Sequence, residues 1–402
     1  MRLDGGARQL TYCTNIHAAN GWSQVFANLR THAPAIKARL SPDRSFGLGL
    51  RLSRAEAQEL SSPDALHAFQ EFLAAEGLYV ALLNGYPYGP FSGEPVKSGV
   101  FAPDWRSEER LRYTLELVGV LVKLLPDGTD GGISTVPLSY KPWMRSQEEG
   151  WSGIVANIAR ICGEMVRARN ETGQFIHLDI EPEPDGLVEN TAEMIAFFRD
   201  RLLPKGAPML AGTLGVSVSR AGDLLLDHVR VCFDTCHFAV EYEDPERSLA
   251  AFANAGIRMG RIQLSSALAV RLPEESGPRR DVLAQVQSLC EPVYLHQVIE
   301  RQRDGTLRRY RDLPDALERG GGSDSSEWRI HFHVPLFAPY FGALQSTRDY
   351  IQRVLRVQPL PSHFEIETYT WAVLPPELRL PLTDSVEREY LWVLDELCAK
   401  QP

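Results

Sequence analysis

Apolar and polar positions divide the chain into short apolar runs separated by amphipathic stretches. Residues 10–15 (LTYCTN), 46–52 (FGLGLRL), 79–84 (YVALLN), 132–138 (GISTVPL), 175–180 (FIHLDI), 229–234 (VRVCFD), 261–265 (RIQLS) and 363–369 (HFEIETY) each read as a strand. Between them apolar residues recur every three or four positions, as at Leu66, Phe69, Phe72 and Leu73. That spacing predicts helices over 23–40, 107–125, 153–169, 191–203 and 245–255, and later over 347–357 and 384–399. A short apolar segment at 209–218 leads into one helical turn before the sixth strand.

Strands alternating with helices imply parallel pairing through right-handed crossovers. Eight such units predict an α/β fold of the (β/α)8 TIM-barrel class, a single domain over 1–402. An open doubly wound sheet is the competing fold. It calls for a glycine-rich phosphate loop after the first strand, and TYCTNIHAANGW has none. Residues 266–345 then form an insertion between the seventh and eighth strands. It holds a hairpin over 294–311 turning at Asp304-Gly305 and an extended segment over 328–334. Residues 374–402 form a C-terminal extension, and the run GGGSDSS at 320–326 reads as a flexible surface loop.

Composition removes several function classes. Apolar residues make up 44% of the 402 positions, enough for a core and too many for disorder. The longest apolar stretch, 115–125, falls short of the ~20 residues that span a bilayer, so membrane insertion is not expected. A net charge of −10 disfavours nucleic acid as a partner. The N-terminal segment MRLDGGARQLTYC lacks a signal-peptide pattern, which predicts a cytoplasmic location. The six cysteines form no CxxC pair and are expected to be reduced thiols.

In a barrel the reactive groups come from the C-terminal ends of strands. Strand alternation puts His177, Asp179, Glu181 and Glu183 on one face, and such a row must pair or bind a cation. Asp234 closes the sixth strand, with His237 three residues on. His331 and His333 share a face at period two, a recurring metal-ligand spacing. Glu367 lies nearest the end of the last strand, with Glu365 deeper. Carboxylates mixed with imidazoles suit a divalent Zn, Mn or Fe ion, and the absence of cysteine from the set excludes a structural zinc site.

These segments resemble a known group. The stretch 231–237 (VCFDTCH) followed by Glu241-Tyr242 is similar to the D-T-C-H motif of the endonuclease IV branch of the xylose isomerase-like barrels. Ile366-Glu367-Thr368 resembles the end of that group's last strand, Ile180-Glu181-Pro182 the strand-five glutamate of the sugar isomerases and epimerases, and the segment of His331 and His333 the endonuclease's late ligand segment. Within the superfamily, LTYCTNIH, LYVALLNGYPYGPF, IHLDIEPEPDG, CFDTCHF, RIQLSSAL and WRIHFHVPLF most resemble the metabolite traffic family EboE. The resemblance runs over 10–370 and implies handling of a secondary-metabolite precursor and its export by way of a membrane transport partner. One departure stands out. The relatives offer a histidine on the seventh strand where this chain has Gln263.

Two readings of function follow. In the first, the protein is a metal-dependent isomerase or epimerase acting on a small polyol, sugar or related metabolite. Glu181, Asp234 and Glu367 hold the ion, and His331, His333 or Gln263 completes its shell. Glu181 or Glu367 moves the proton, and His237 binds substrate hydroxyls. Asn15, Asn84, Tyr86, the aromatic loop over 84–91 and Lys141 line the mouth, with Lys141 meeting a carboxylate or phosphate. In the second, the chain is a non-catalytic carrier that keeps the pocket, a reading motivated by Gln263. Apurinic endonuclease activity ranks third, because the charge is wrong for DNA and a trinuclear site needs more ligands.

Overall fold

The computed structural model describes residues 1–90, 96–144, 148, 150–372, 374 and 380–398. Its strands are β1 (Arg2–Leu3), β2 (Arg8–Tyr12), β3 (Phe46–Arg51), β4 (Leu78–Asn84), β5 (Gly131–Thr135), β6 (Ile176–Ile180), β7 (Val229–Asp234), β8 (Met259–Leu264), β9 (Ser266–Arg271), β10 (Val298–Gln302), β11 (Leu307–Tyr310), β12 (Ser325–Val334), β13 (Tyr340–Phe341), β14 (Leu344–Ser346) and β15 (His363–Ile366).

β3 to β8 pair in parallel and in chain order, β15 follows β8, and β2 follows β15. Helices link the strands, as the alternating pattern predicts. The ladder stops between β2 and β3. There a Cys13–Gly49 bridge and a 2.9 Å bond from the Arg51 amide to Thr14 Oγ1 close the seam. The fold is a nearly closed (β/α)8 barrel. Ile176, Leu178 and Ile180 are fully buried in the core cluster shared with the surrounding helices. Among the described residues no helix is long and apolar enough to cross a membrane.

The barrel interior is polar as well as packed. Arg261 is fully buried on β8. Its Nε lies 3.0 Å from Asp179 Oδ2, its Nη1 2.9 Å from Glu365 Oε2, and its Nη2 3.1 Å from the Leu83 carbonyl. Two glycines make room for these carboxylates. A Cβ on Gly260 would sit 1.8 Å from Asp179 Oδ1, and one on Gly49 would sit 1.7 Å from Glu365 Oε1.

The structure differs from the sequence expectation in four places. Arg54–Leu60 is a helix the pattern does not reveal, set by a Ser53–Glu56 capping box. Residues 209–218 are not extended. Helices Ala207–Leu214 and Val218–His228 continue from a π-helical stretch, Phe197–Gly206. Glycines 212 and 215 and the exposed Met209 blur the helical period there. The insertion is far more than a hairpin. It is a six-stranded antiparallel sheet ordered β11-β10-β12-β9-β14-β13, with helices Ser276–Gln287 and Leu313–Arg319. This sheet has its own core, including Leu268, Val270, Trp328 and Ile330. The continuously apolar start of β9 carries no sequence signal that separates it from β8. Finally, the glycine-rich segment at 320–326 is pinned. Arg279 donates to the Gly321 and Ser325 carbonyls at 2.9 and 3.1 Å, and the Gly321 amide bonds Glu300 Oε2 at 2.9 Å.

Two outcomes test this core. Arg261→Met strands two buried carboxylates, so it is expected to cost about 3–5 kcal/mol in urea unfolding, with partial recovery on adding Asp179→Asn and Glu365→Gln. A loss below about 1 kcal/mol would show that the ion pairs are not needed for stability. The second outcome concerns Glu389 on helix Leu382–Cys398, which accepts from Thr368 Oγ1 at 2.7 Å and the Leu336 amide at 3.2 Å. Burial pushes its carboxyl up to about 8. A raised carboxyl pKa in the folded state favours folding below the unfolded value, and this contribution is lost as pH rises through about 8. Thermal midpoints should therefore fall over that range, and less steeply in Glu389→Gln; identical slopes would refute the assignment.

Candidate metal centre

Glu181 follows the last residue of β6, and its amide is held by the Thr135 carbonyl at 3.1 Å. Asp234 ends β7 and caps the short helix Thr235–Val240. Its Oδ1 accepts from the Cys236 and His237 amides at 2.8 and 3.1 Å and from Ser265 Oγ at 2.6 Å. That oxygen is saturated, while Asp234 Oδ2 and Glu181 Oε2 are buried without a protein partner. Glu367 follows β15. Asn15 and Asn84 donate to its Oε1 at 2.9 and 3.0 Å. The three carboxylates present oxygens within 4.8 Å of one another. Three buried anions this close repel unless protonated or bridged by a cation.

The antiparallel sheet supplies the imidazoles. Between Ile330 and Val334, β12 takes four steps while β9 takes two, a bulge at the position of His331 and His333. Each histidine of the cluster commits its Nδ1 proton to an oxygen. His237 donates to the Pro182 carbonyl at 3.0 Å, His333 to the Glu367 carbonyl at 2.8 Å, and His331 to Gln297 Oε1 at 2.7 Å. The Gln297 amide orientation is fixed, because its Nε2 faces two acceptors, Glu183 Oε1 at 2.8 Å and the Pro184 carbonyl at 3.0 Å. All three Nε2 atoms therefore carry free lone pairs. His331 Nε2 lies 3.2 Å from His237 Nε2 and 3.3 Å from His333 Nε2. A tetrahedral zinc with bonds of about 2.0–2.1 Å sets its nitrogen ligands about 3.3 Å apart. Only an added proton or a cation can sit between these nitrogens. Asp234 groups with His237 and His333 as well, so the carboxylate and imidazole sets join through it.

The electrostatics follow the same lines. Burial, then the charges of Glu367, Asp234 and Glu183, pushes Glu181 well above the ordinary carboxylate range. Burial and Asp234 do the same to Glu367. Asp234 is held low despite burial, by His237, His333 and the Ser265 hydroxyl. Glu183 is likewise held at about 2 against burial, chiefly by His331. Burial depresses His333 to about 3, which keeps it in the neutral, ligating form.

Glu181, Asp234, Glu367, His237, His331 and His333 are thus brought together, with Asn15 and Asn84 clasping one of the carboxylates. Tyr86 lines the same cavity, and its hydroxyl donates to Glu183. Two expected residues stand elsewhere. Gln263 sits on β8 beside Asp234, but its Oε1 accepts from Cys232 Sγ at 2.5 Å and it joins none of the ligand groups among the described residues. Lys141 is taken up by Glu189 at 2.6 Å and Glu193 at 2.9 Å, and it does not line the cavity. An ammonium placed between two carboxylates is not free for a substrate anion. The expected loop residues 91–95 lie outside the described residues. Sequence reasoning missed Gln297, which has no local motif, and Ser265, visible only as a polar residue after a strand. It also left Cys236 out, although this buried thiol groups with His331 and His333.

No family model and no curated protein matches the chain. Solved structures do. A xylose isomerase-like TIM-barrel protein from Mycobacterium smegmatis in complex with magnesium is 12% identical, covers 99% of both chains and has a TM-score of 0.49. An IolI protein with a bound zinc atom is 11% identical, covers 98% of this chain and 99% of its own, and has a TM-score of 0.47. A D-psicose 3-epimerase in the presence of D-fructose is 16% identical over 71% of this chain and 83% of its own, at a TM-score of 0.37.

Metal analysis tests the centre. Protein purified without a histidine tag or chelator is expected to hold at least one divalent ion per chain, and Glu181→Gln with Asp234→Asn to lose it. Cobalt added to metal-free protein should give visible absorption of a nitrogen-ligated site. That signal should weaken in Gln297→Leu, where affinity is expected to fall about 10–100-fold. Metal-free wild type that takes up no cobalt would refute the centre.

Proposed function

We propose that the protein is a divalent-metal-dependent isomerase or epimerase acting on a small hydroxylated metabolite. The observation that carries this reading is the convergence of Glu181 Oε2, Asp234 Oδ2 and three imidazole lone pairs at the ends of the barrel strands, with no side-chain cation among them. A divalent ion bound there polarises a substrate carbonyl or alkoxide oxygen and so acidifies the adjacent C–H bond.

The chain's own residues do the rest. Glu367, clasped by two amides on Oε1, keeps a fixed position from which its other oxygen faces the ion. Glu181 takes the proton from the carbon and returns it, a role suited to a carboxyl whose burial and acidic neighbours raise its proton affinity. Glu183 stays ionised and, through Gln297, keeps the His331 lone pair free. The finer role, handling of a secondary-metabolite precursor with a membrane transport partner, rests on the EboE resemblance. The carrier reading takes its motive from Gln263. That side chain engages Cys232 and so has no bearing on whether the cluster holds metal.

Metal-loaded protein incubated in deuterium oxide with neutral ketoses and polyols is expected to place deuterium at one carbon, read by NMR. Glu181→Gln should slow this on the order of 10²–10⁴-fold with the metal content measured alongside. No exchange in any substrate by fully loaded protein would overturn the isomerase reading.

A further inference from the structure

The cavity above the centre has two unlike halves. Its floor is Glu181, Glu183, Glu367 and the three histidines. Its rim is apolar and aromatic: Val96, Val100 and Leu295, with Tyr86, Tyr294 and Tyr369 around them. The rim comes from both parts of the fold, Val96 and Val100 from the loop after β4, and Leu295 and Tyr294 from the approach to β10. About 540 Å³ of space lies between them, within the range of small-molecule sites.

Charge narrows the ligand further. Lys97 is the one cation lining this cavity among the described residues. Its Nζ is already 2.7 Å from Asp312 Oδ2 and 3.5 Å from the Glu291 carbonyl. No uncommitted ammonium or guanidinium of the lining awaits a phosphate or carboxylate, while three carboxylates line the floor and Asp234 lies beside them. One divalent ion leaves that floor negative when the four groups are ionised. A sugar phosphate or acid sugar would bring like charge into it without a partner.

We infer that the ligand is a neutral polyol or cyclitol bearing an alkyl or aryl group. Adjacent hydroxyl oxygens face the floor, and the apolar group lies against Val96, Val100, Leu295 and the tyrosines. This inference rests on the metal-centre reading for the hydroxyl end and on the rim alone for the apolar end. The two therefore fail separately.

Calorimetric titration of zinc-loaded and of metal-free protein decides it, using inositol, its mono-octyl and mono-benzyl ethers, and an inositol monophosphate. An ether is expected to bind at least about tenfold more tightly than inositol, because roughly 60 Å² of buried apolar surface suffices for that factor. The monophosphate is expected not to bind. Leu295→Ser with Val100→Ser should erase the ether preference while zinc content, measured independently, stays unchanged. Equal affinity for inositol and its ethers, tighter binding of the monophosphate, or no binding of any probe by zinc-loaded protein would overturn the ligand class. Absence of zinc uptake with the ether preference intact would sink the metal reading and leave the apolar rim standing.

Discussion

Carboxylate crowding inside the barrel is the constraint on which the rest of the structure depends. Asp179, Glu181, Glu183, Asp234, Glu365 and Glu367 are all buried, and burial alone would neutralise each of them. The lower layer meets the constraint with one guanidinium, since Arg261 reaches Asp179 and Glu365 together. The upper layer has no such residue. Its positive counterpart must be a proton or a metal ion, and three deprotonated Nε2 atoms at the same place favour the ion over the proton. Two stacked solutions to one electrostatic problem thus separate a structural layer from a reactive one.

Backbone clearance makes the lower layer possible. Gly49 stands at the open seam between β2 and β3, where the Glu365 carboxylate fills the space a side chain would take. Gly260 does the same beside Asp179. The upper layer depends instead on chain that is not part of the barrel. His331 and His333 reach the strand ends because β12 is bulged, and Gln297 reaches His331 because β10 pairs with β12.

That division explains what the sequence makes legible. Barrel strands announce themselves by apolar runs, and polar residues at their ends follow from the period of two. Glu181, Asp234 and Glu367 could be placed together on those grounds because the barrel geometry is repetitive. The histidine pair was visible as H-x-H, but its arrival at the barrel mouth depends on a bulge that no local pattern encodes. Gln297 is one glutamine in an irregular stretch, and its role exists only through pairing between β10 and β12. Gln263 and Lys141 misled for a common reason. Position on a strand end or loop fixes where a backbone lies, whereas the nearest partner decides what the side chain does, and here Cys232 and the Glu189–Glu193 pair are nearer than the cavity.

The antiparallel sheet is therefore a participant in the site and not an ornament on the barrel. Its apolar junction with the barrel is small: Cys236, Val240, Ala267 and Ile299, with Tyr242 at the edge. Polar contacts at the mouth carry the remainder, from Gln297 to Glu183 and from His333 to the Glu367 carbonyl. A cation coordinated by Asp234 from the barrel and by His331 or His333 from the sheet ties the two units through bonds far stronger than that apolar contact. Removing it leaves nitrogen lone pairs opposed at 3.2 and 3.3 Å, so the same ion that neutralises the barrel mouth also seats the sheet that forms half the cavity rim. Chemistry and shape of the pocket are then linked through one charge.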